Sequence, residues 1–451
     1  MSSGGVVVLE LPLGAAEESF ELEEAVCSHG LFMMPPNQWD PVSKTLLRPL
    51  RLGLGDSDSD SESVTVRISQ HQWAPRSLHV RVYCHNSPSL SRQHRESVLA
   101  QVSRMLRLSE DEERAVREFR NMYDKKKKKK KKESSFVGRV FRSPTLFEDM
   151  VKCMLLCNCQ WSRTLSMARA LCELQLELQP QSSSLLFVAD SAAAAASTNF
   201  NTPKPDKDHF IPNTPIPRES KVSTNFTNSG SIKADCVPAD IVRDDDDYSY
   251  LNCKTCQAAD EPHNIASDND TIGNFPSPTE LANLDEGFLA SRCNLGYRAS
   301  RILKLARDIV EGRIQLTQLE EASKGASFSK SSNYDKLAKQ LKEIDGFGAF
   351  TCANVLMCMG YYHVIPTDSE TIRHLRKVHA RYSTVQTVQR DIECVYGKYA
   401  PFQFLAYWSE LWHFYEKTFG KLSEMPCSDY KLITASNMGS TSSTKKRKKK
   451  C

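Results

Sequence analysis

A long stretch in the middle of the chain, residues 178–275, separates two segments that carry regular apolar patterns. It is rich in Ser, Asn, Thr, Pro and Asp, and it contains a run of five alanines and a run of four aspartates. A segment with so few large apolar residues cannot bury enough surface to offset the entropy lost on ordering. We therefore expect 178–275 to be a disordered insert between two parts of one helical domain.

Both segments that flank the insert have helical periodicity, and each begins with the same signal. The tripeptide S-P-T occurs at 143–145 and again at 277–279. It places a capping hydroxyl and a proline where a helix starts. The sequence predicts a helical domain in two parts, 136–177 and 276–425.

The N-terminal segment follows a different pattern. Residues 63–69 and 78–84 alternate apolar and polar side chains, as antiparallel strands do, and 97–122 has helical spacing. We expect a flexible N-terminus over 1–19 and a small antiparallel β-domain with a closing helix over 20–122. The predicted fold class is α+β, with this β-domain followed by an all-helical domain that the insert interrupts.

Positive charge is concentrated in two runs, although the formal net charge is only +4. Lys125–Lys132 falls in a predicted lysine-rich linker, 123–135, and the sequence KKRKKK falls in a predicted basic tail, 426–451. Such runs serve as nuclear import signals or as arms that bind nucleic acid, and a solvated loop and tail is the alternative. We expect a nuclear protein that binds nucleic acid.

Other features exclude several classes. The N-terminus lacks the basic flank of a signal peptide, and no apolar run approaches the roughly 18 to 20 residues that span a bilayer. The fifteen cysteines are scattered, which is typical of reduced intracellular thiols. Cys253 and Cys256 form a lone CxxC pair, so we expect no metal held by side chains. We expect a monomer that does not bind membranes.

The most informative window is 334–375, which predicts a helix, a glycine turn, a helix, a loop and a third helix. Gly346 and Gly348 form the turn, and Ala349 starts the second helix. Backbone N–H groups at such a helix start attract an anion, for which a DNA phosphate is the obvious candidate. An ordinary helical hairpin with a glycine cap is the alternative.

The loop beyond the turn presents a carboxylate. Pro366 fixes the chain direction, Thr367 and Glu370 have capping-box spacing, and Asp368 falls at the first helical position. The positive end of the helix should keep that carboxylate ionised. Cleavage of an N-glycosidic bond builds positive charge on the sugar, which a fixed carboxylate stabilises while it orients a water. A purely capping aspartate is the alternative.

Together these residues resemble the helix-hairpin-helix DNA glycosylases with a Gly/Pro-rich loop and an aspartate, the HhH-GPD superfamily. The shared pattern is I-x-G-F-G-x-x-T-x-A-N followed by P-x-D. The resemblance implies that Gly346, Phe347 and Gly348 bind the DNA backbone, often with an alkali ion on the hairpin carbonyls. It implies that Asp368 is the catalytic carboxylate, with no organic cofactor.

Further segments resemble one branch of that superfamily. The stretch FELEEAVCSHGLFMMPPNQWD and the strands after it are similar to the small β-domain of eukaryotic 8-oxoguanine glycosylases and bacterial 3-methyladenine glycosylase II. In the 8-oxoguanine branch, an asparagine matching Asn158 enters the gap left by the extruded base, and an LGYRA segment matching Tyr297 and Arg298 wedges beside it. Side chains must fill the gap in the DNA because the base has to leave the stack.

The same branch implies a base pocket. Phe404 and Trp408 lie on one helical face, and an aromatic near Trp408 stacks on the flipped base in that branch; core packing is the alternative for this stripe. Phe350 is a departure, because bifunctional members carry a Schiff-base lysine at that position, whereas the 3-methyladenine glycosylase II type has an aromatic there and hydrolyses directly. The four-cysteine iron–sulfur loop of endonuclease III-like members has no counterpart, so no cluster is expected.

The sequence therefore predicts a DNA glycosylase of base excision repair that hydrolyses the bond to a damaged purine and leaves the strand intact. Two alternatives remain open. One is a bifunctional 8-oxoguanine glycosylase with AP lyase activity that uses another amine. The other is a catalytically inactive protein that binds DNA damage. The damaged base and the base opposite it are not determined.

Overall fold

The computed structural model describes residues 5–53, 62–84, 89–126, 136, 138–179, 272–323, 331–434 and 437. The lysine run beyond Lys126, the KKRKKK sequence, and Cys253 and Cys256 with most of the expected insert lie outside these residues.

A five-stranded antiparallel sheet is formed by the N-terminal segment, which confirms the α+β fold class. Its strand order is β1-β5-β4-β3-β2, with β1 Gly5–Pro12, β2 Gln38–Asp40, β3 Thr45–Arg51, β4 Ser63–Ser69 and β5 Ser77–Cys84. The alternation seen in the sequence buries Val64, Val66 and Ile68 of β4 on one face.

The expectation of a flexible N-terminus is wrong for residues 5–12, which form β1. This strand pairs along its whole length with β5, from Gly5 opposite Cys84 to Pro12 opposite Ser77. Val6 and Val8 are exposed on this edge strand while Leu9 is buried. The short apolar patch therefore completes the sheet.

The rest of the described chain is mainly helical, with short 3-10 turns and loops between the helices. Those before the insert are α1 Leu22–Val26, α2 Arg92–Leu106, α3 Glu110–Lys126, α4 Leu146–Leu156 and α5 Trp161–Glu177. Those from the insert to the hairpin are α6 Pro278–Ala282, α7 Glu286–Arg292, α8 Arg298–Val310, α9 Leu316–Ser323 and α10 Ser331–Lys342. Those after it are α11 Ala349–Cys358, α12 Ser369–His379, α13 Val388–Tyr396 and α14 Gln403–Phe419.

The two S-P-T signals start helices as predicted, but the single closing helix over 97–122 is wrong. Thr145 caps α4 by accepting from the Glu148 N–H at 3.2 Å, and Ser277 forms a full capping box with Glu280. Between α2 and α3 the backbone turns at Arg107, whose φ is +54°. Ser109 then accepts from the Glu112 N–H at 3.3 Å, so a new helix begins.

The chain on the two sides of the insert packs together. Residues 272–275, the end of the expected insert, are ordered against α5, because the Asn274 N–H donates to the Gln175 Oε1 at 2.9 Å and Phe275 is buried. Helix α4, before the insert, packs against α11, after it. The described residues all fall within one compact unit.

The start of the expected basic tail also packs on the body of the protein. Residues Cys427–Leu432 form a 3-10 turn, and the Tyr430 ring meets the Phe32 ring edge-on with centroids 5.5 Å apart. Just before the expected tail, the Trp39 indole N–H donates to the Ser423 carbonyl at 2.9 Å. Among the described residues, no helix is long and apolar enough to cross a membrane.

Candidate active site

The glycine turn between α10 and α11 forms one wall of a cleft of about 1000 Å³. Gly346 has a φ of +82°, and a Cβ built there would lie 2.5 Å from the Arg301 Cδ. Gly348 caps α11 in an extended conformation, and a Cβ on it would meet no described atom within 4 Å. The chain itself thus requires a glycine at 346, whereas at 348 a side chain would only project into open space.

The start of α11 faces the same cleft. Ala349, Phe350 and Thr351 line it, and no side chain among the described residues caps the helix. The first amides of a helix lack intrahelical acceptors, and the helix dipole adds partial positive charge there. Phe347 is buried, so only its backbone can contribute to an anion site. The hairpin therefore presents amide donors, as its sequence predicted.

Asp368 also lines the cleft, at its loop wall. It is the N-cap of α12, where its Oδ1 accepts from the Thr371 N–H at 2.8 Å and contacts the Thr371 Oγ1 at 2.9 Å. The expected arrangement, with Thr367 as the cap and Asp368 as the first helical residue, is wrong. Glu370 takes no part in a capping box, because its carboxylate pairs with Arg373 and accepts from the Tyr415 hydroxyl at 3.0 Å.

The electrostatic environment of Asp368 differs from the expectation based on the helix dipole. Asp368 as a whole residue is exposed to solvent, while the protein atoms packed around its carboxyl group partly enclose that group. This enclosure raises the pKa of Asp368 above its ordinary value, although the hydrogen bonds from Thr371 act in the opposite direction. The carboxylate is therefore held by Thr371, and its pKa lies above the ordinary value.

Two residues that the sequence did not single out support Asp368. The Thr371 hydroxyl lies 2.8 Å from the Pro366 carbonyl and 3.2 Å from the hydroxyl of buried Tyr407. These contacts fix the Thr371 side chain, which in turn fixes the Asp368 carboxylate. The D-x-x-T spacing of an N-cap and its third helical residue was the available signal for Thr371. Tyr407 had none, because it comes from a distant helix.

Two residues of the predicted wedge also line the cleft. Asn158 lies in the loop between α4 and α5 with a φ of +46°, and it lines the cleft together with Tyr297 at the start of α8. The Tyr297 side chain is 49% exposed, and the Arg301 guanidinium lies 4.9 Å from its ring centroid. Arg301 therefore connects the tyrosine to the hairpin, and its position one turn after Tyr297 was a signal that we missed.

Arg298 is not placed to act as a wedge. It is only 3% exposed, and its guanidinium donates to the carbonyls of Cys157 and Asn158. Those carbonyls lie just after the end of α4, where no further N–H groups of the helix are available to donate to them. Arg298 thus holds the loop that carries Asn158.

The predicted base pocket is only partly present. Phe350 is half-buried and lines the cleft, but Phe404 and Trp408 do not. Phe404 is 2% exposed and stacks on Trp408, with centroids 5.7 Å apart, and the Trp408 indole donates to the Ser28 carbonyl at 2.8 Å. The stripe on α14 is core packing against the N-terminal segment, so this assignment is wrong.

Charged groups complete the cleft. Arg301, Lys304 and Lys342 line it on the hairpin side, and the Lys304 Nζ lies 3.6 Å from the Asp345 Oδ2. Both members of that pair are more than half exposed, so it constrains them weakly. Three side chains that could share a metal ion are found together once in the described part of the chain, at His374, His379 and Glu410, outside this cleft.

Comparisons with known proteins give similar folds only. No family model and no curated protein matches the chain. MBOgg1, solved with a low-affinity DNA ligand, is 13% identical with a TM-score of 0.48, over 93% of this chain and 98% of its own. The 3-methyladenine DNA-glycosylase from Archaeoglobus fulgidus is 14% identical with a TM-score of 0.46, over 90% and 98%. An 8-oxoguanine glycosylase/lyase from Clostridium acetobutylicum is 11% identical with a TM-score of 0.42, over 84% and 98%. At these identities and scores, the similarity assigns neither a family nor an activity.

Proposed function

We propose that the protein is a DNA glycosylase that hydrolyses the N-glycosidic bond of a damaged purine in duplex DNA. One observation carries the proposal: a fixed carboxylate, Asp368, lines the same cleft as the uncapped helix start after Gly348 and the exposed Tyr297. Because Asp368 also caps α12, its position in this cleft, and not its presence alone, supports a catalytic role beyond phosphate binding.

The hairpin supplies the DNA contact. The amides at the start of α11 donate to a backbone phosphate, and the absence of a side chain at Gly348 lets the strand approach. Lys304 and Lys342 add positive charge beside them. An alkali ion on the hairpin carbonyls would add to this charge, since carbonyl oxygens are hard ligands that suit such an ion.

Asn158 and Tyr297 supply the means of extruding a base. An enzyme that acts on a base must take it out of the stack and fill the space it leaves. Asn158 and Tyr297 face the cleft from separate elements, and Arg298 and Arg301 brace them from behind. The extruded nucleotide would then enter the cleft between Phe350 and Asp368.

The chemistry falls to Asp368. As the bond to the base breaks, positive charge develops on the sugar, and a carboxylate held by Thr371 stabilises it without reorganising. The same carboxylate orients the attacking water. The side chain at the Schiff-base position is Phe350, which cannot form a covalent adduct, so direct hydrolysis is favoured. We also propose that the two lysine-rich runs direct the protein to the nucleus.

Duplexes that each carry one 8-oxoguanine, alkylated adenine, uracil or mismatch test the proposal and identify the substrate. Each is incubated with the full-length protein under single-turnover conditions and is then analysed with and without hot alkali. We expect at least one purine lesion to give alkali-labile sites without direct strand breaks. Release of no base from any duplex, despite binding to them, would show that the protein recognises DNA without cleaving it.

A further inference from the structure

A polar cluster lies at the far end of α12 from Asp368, where α12, α13 and α14 meet. His374 and His379 come from α12, Tyr396 ends α13, and Glu410 comes from α14. His374 is fully buried, and the His379 and Glu410 side chains are about three-quarters buried. The cluster shares no residue with the cleft, so the proposed reaction leaves it unexplained.

Four potential ligand atoms converge there. The Glu410 Oε2 lies 2.8 Å from the His379 Nε2, 3.7 Å from the His374 Nε2 and 2.7 Å from the Tyr396 hydroxyl. That hydroxyl lies 3.1 Å from the His374 Nε2 and 3.0 Å from the His379 Nε2. A tetrahedron with metal–ligand distances of about 2.0 to 2.2 Å has edges of about 3.3 to 3.6 Å. Four of the five observed separations, 2.7 to 3.1 Å, are shorter than those edges and the fifth, 3.7 Å, is slightly longer, so these four groups would have to move apart by about a few tenths of an ångström to hold an ion.

We propose that His374, His379, Glu410 and Tyr396 bind a single Zn²⁺ ion. Two imidazole nitrogens with a carboxylate and a phenol oxygen make a mixed nitrogen and oxygen set, and a tetrahedral arrangement favours zinc over the hard octahedral cations. Tyr396 would bind as the phenolate and release its hydroxyl proton to solvent. With that fourth ligand the shell is complete, no position remains for a substrate, and the site is structural.

The ion would tie α12 to α13 and α14 at its C-terminal end. The N-terminal end of the same helix is capped by Asp368. Without an ion, these groups form a hydrogen-bonded network centred on the Glu410 Oε2, in which the buried Nδ1 of His374 has no partner. Metal binding and this network are the two states that the experiment must separate.

Cobalt substitution of the full-length protein separates them. The purified protein is stripped with a chelator, and is then titrated with Co²⁺ or Zn²⁺ while visible absorption, retained metal and Tm are measured. We expect one Co²⁺ per chain, intense tetrahedral bands without sulfur charge transfer, and a Tm that rises with Zn²⁺ concentration. The variants His379→Gln and Glu410→Gln should no longer bind this one metal ion per chain. The variant His413→Gln, a matched change within α14, should still bind it.

A double Cys253→Ser and Cys256→Ser variant controls for binding in the CxxC segment, and it should retain the metal. Failure of wild-type protein to retain Co²⁺ or Zn²⁺ would show that the cluster is only a hydrogen-bonded network. Sulfur charge-transfer bands, or metal that survives His379→Gln but not the double serine change, would place the ion on cysteines instead. If a glutamine variant does not fold, the wild-type cobalt spectrum alone decides between nitrogen and oxygen ligands and sulfur ligands.

Discussion

Asp368 combines two roles that act against each other. As the N-cap of α12 it accepts the Thr371 amide, which favours an ionised carboxylate, while the cleft walls that would surround a substrate disfavour the charge. Enclosure prevails, so the pKa is raised. A carboxylate with a raised pKa is a poorer structural anion but a better partner for developing positive charge.

This balance predicts that Asp368→Asn does not destabilise the protein. A raised folded-state pKa means that the stabilising contribution of Asp368 is present below its ordinary value of 3.8 and is lost as pH rises through the folded value. Asparagine still accepts the Thr371 N–H but carries no charge. Thermal unfolding at pH 7 should therefore give a Tm equal to or above that of the wild type. A fall of several degrees would show that the charge itself stabilises α12.

The two hairpin glycines should respond differently to alanine. Gly346→Ala forces a positive φ on a residue with a Cβ and crowds the Arg301 side chain, so we expect a loss of about 1 to 2 kcal/mol in unfolding free energy. Gly348→Ala meets no described atom, so stability should change by less than about 1 kcal/mol while DNA affinity falls. Denaturant unfolding and fluorescence anisotropy measure the two effects. An equal loss of stability at both positions would show that Gly348 is needed for the stability of the protein itself and not for the approach of DNA.

Single residues were predictable where their motif also determines their position. The hairpin glycines, Asp368, Asn158 and Tyr297, which the motifs singled out, all line one cleft. Phe404 and Trp408 could not be distinguished from a core stripe, because the same spacing serves both and only the packing partner decides.

At the scale of the element, the start of α11 determines which chemistry is available. Phe350 occupies the first turn, and the cleft amines, on Lys304 and Lys342, lie on other elements. Borohydride should therefore trap no protein–DNA adduct, and strands should break only after alkali treatment. Gel electrophoresis of a reduced reaction measures this. An adduct that disappears in Lys304→Gln or Lys342→Gln would show that one of these amines is a nucleophile and that the enzyme is bifunctional.

Element boundaries were predictable where a capping signal is local. Thr145 and Ser277 start helices as their spacing indicated. The sequence did not show that Asp368, and not Thr367, is the N-cap of α12, because both residue types can cap a helix. The cap is the residue whose side chain reaches the Thr371 amide, and in the structure this is Asp368. Strand β1 was missed because its partner, β5, lies about 70 residues away, and edge strands carry weak patterns.

At the scale of the whole molecule, composition was sufficient to predict a split helical unit. The end of α5 and residues 272–275 meet through Gln175 and Asn274, and α4 contacts α11 across the insert. The sequence could not show how closely the C-terminal part packs on the sheet side, because contacts such as Trp39 to Ser423 join residues that no local pattern relates.

The concentration of positive charge in the lysine run predicts how DNA binding depends on salt. The observed DNA-binding constant should fall steeply with salt concentration, and replacing Lys127–Lys132 with serine should make that slope shallower by about 0.9 for each phosphate that these lysines neutralise. Preference for the lesion should not change, because the cleft is intact. Fluorescence anisotropy over a salt series measures both. An unchanged slope would show that the lysine run does not bind DNA.

The most direct test of the account is the single-turnover rate of base release by Asp368→Asn, measured with DNA affinity on the same substrate. We expect a fall of at least about 100-fold, roughly 3 kcal/mol in the barrier, with affinity retained. Asp345→Asn is the matched control, since it removes the same charge from the same cleft and should keep the wild-type rate within a few fold. A rate for Asp368→Asn equal to that of Asp345→Asn would contradict the assignment of Asp368 as the catalytic carboxylate.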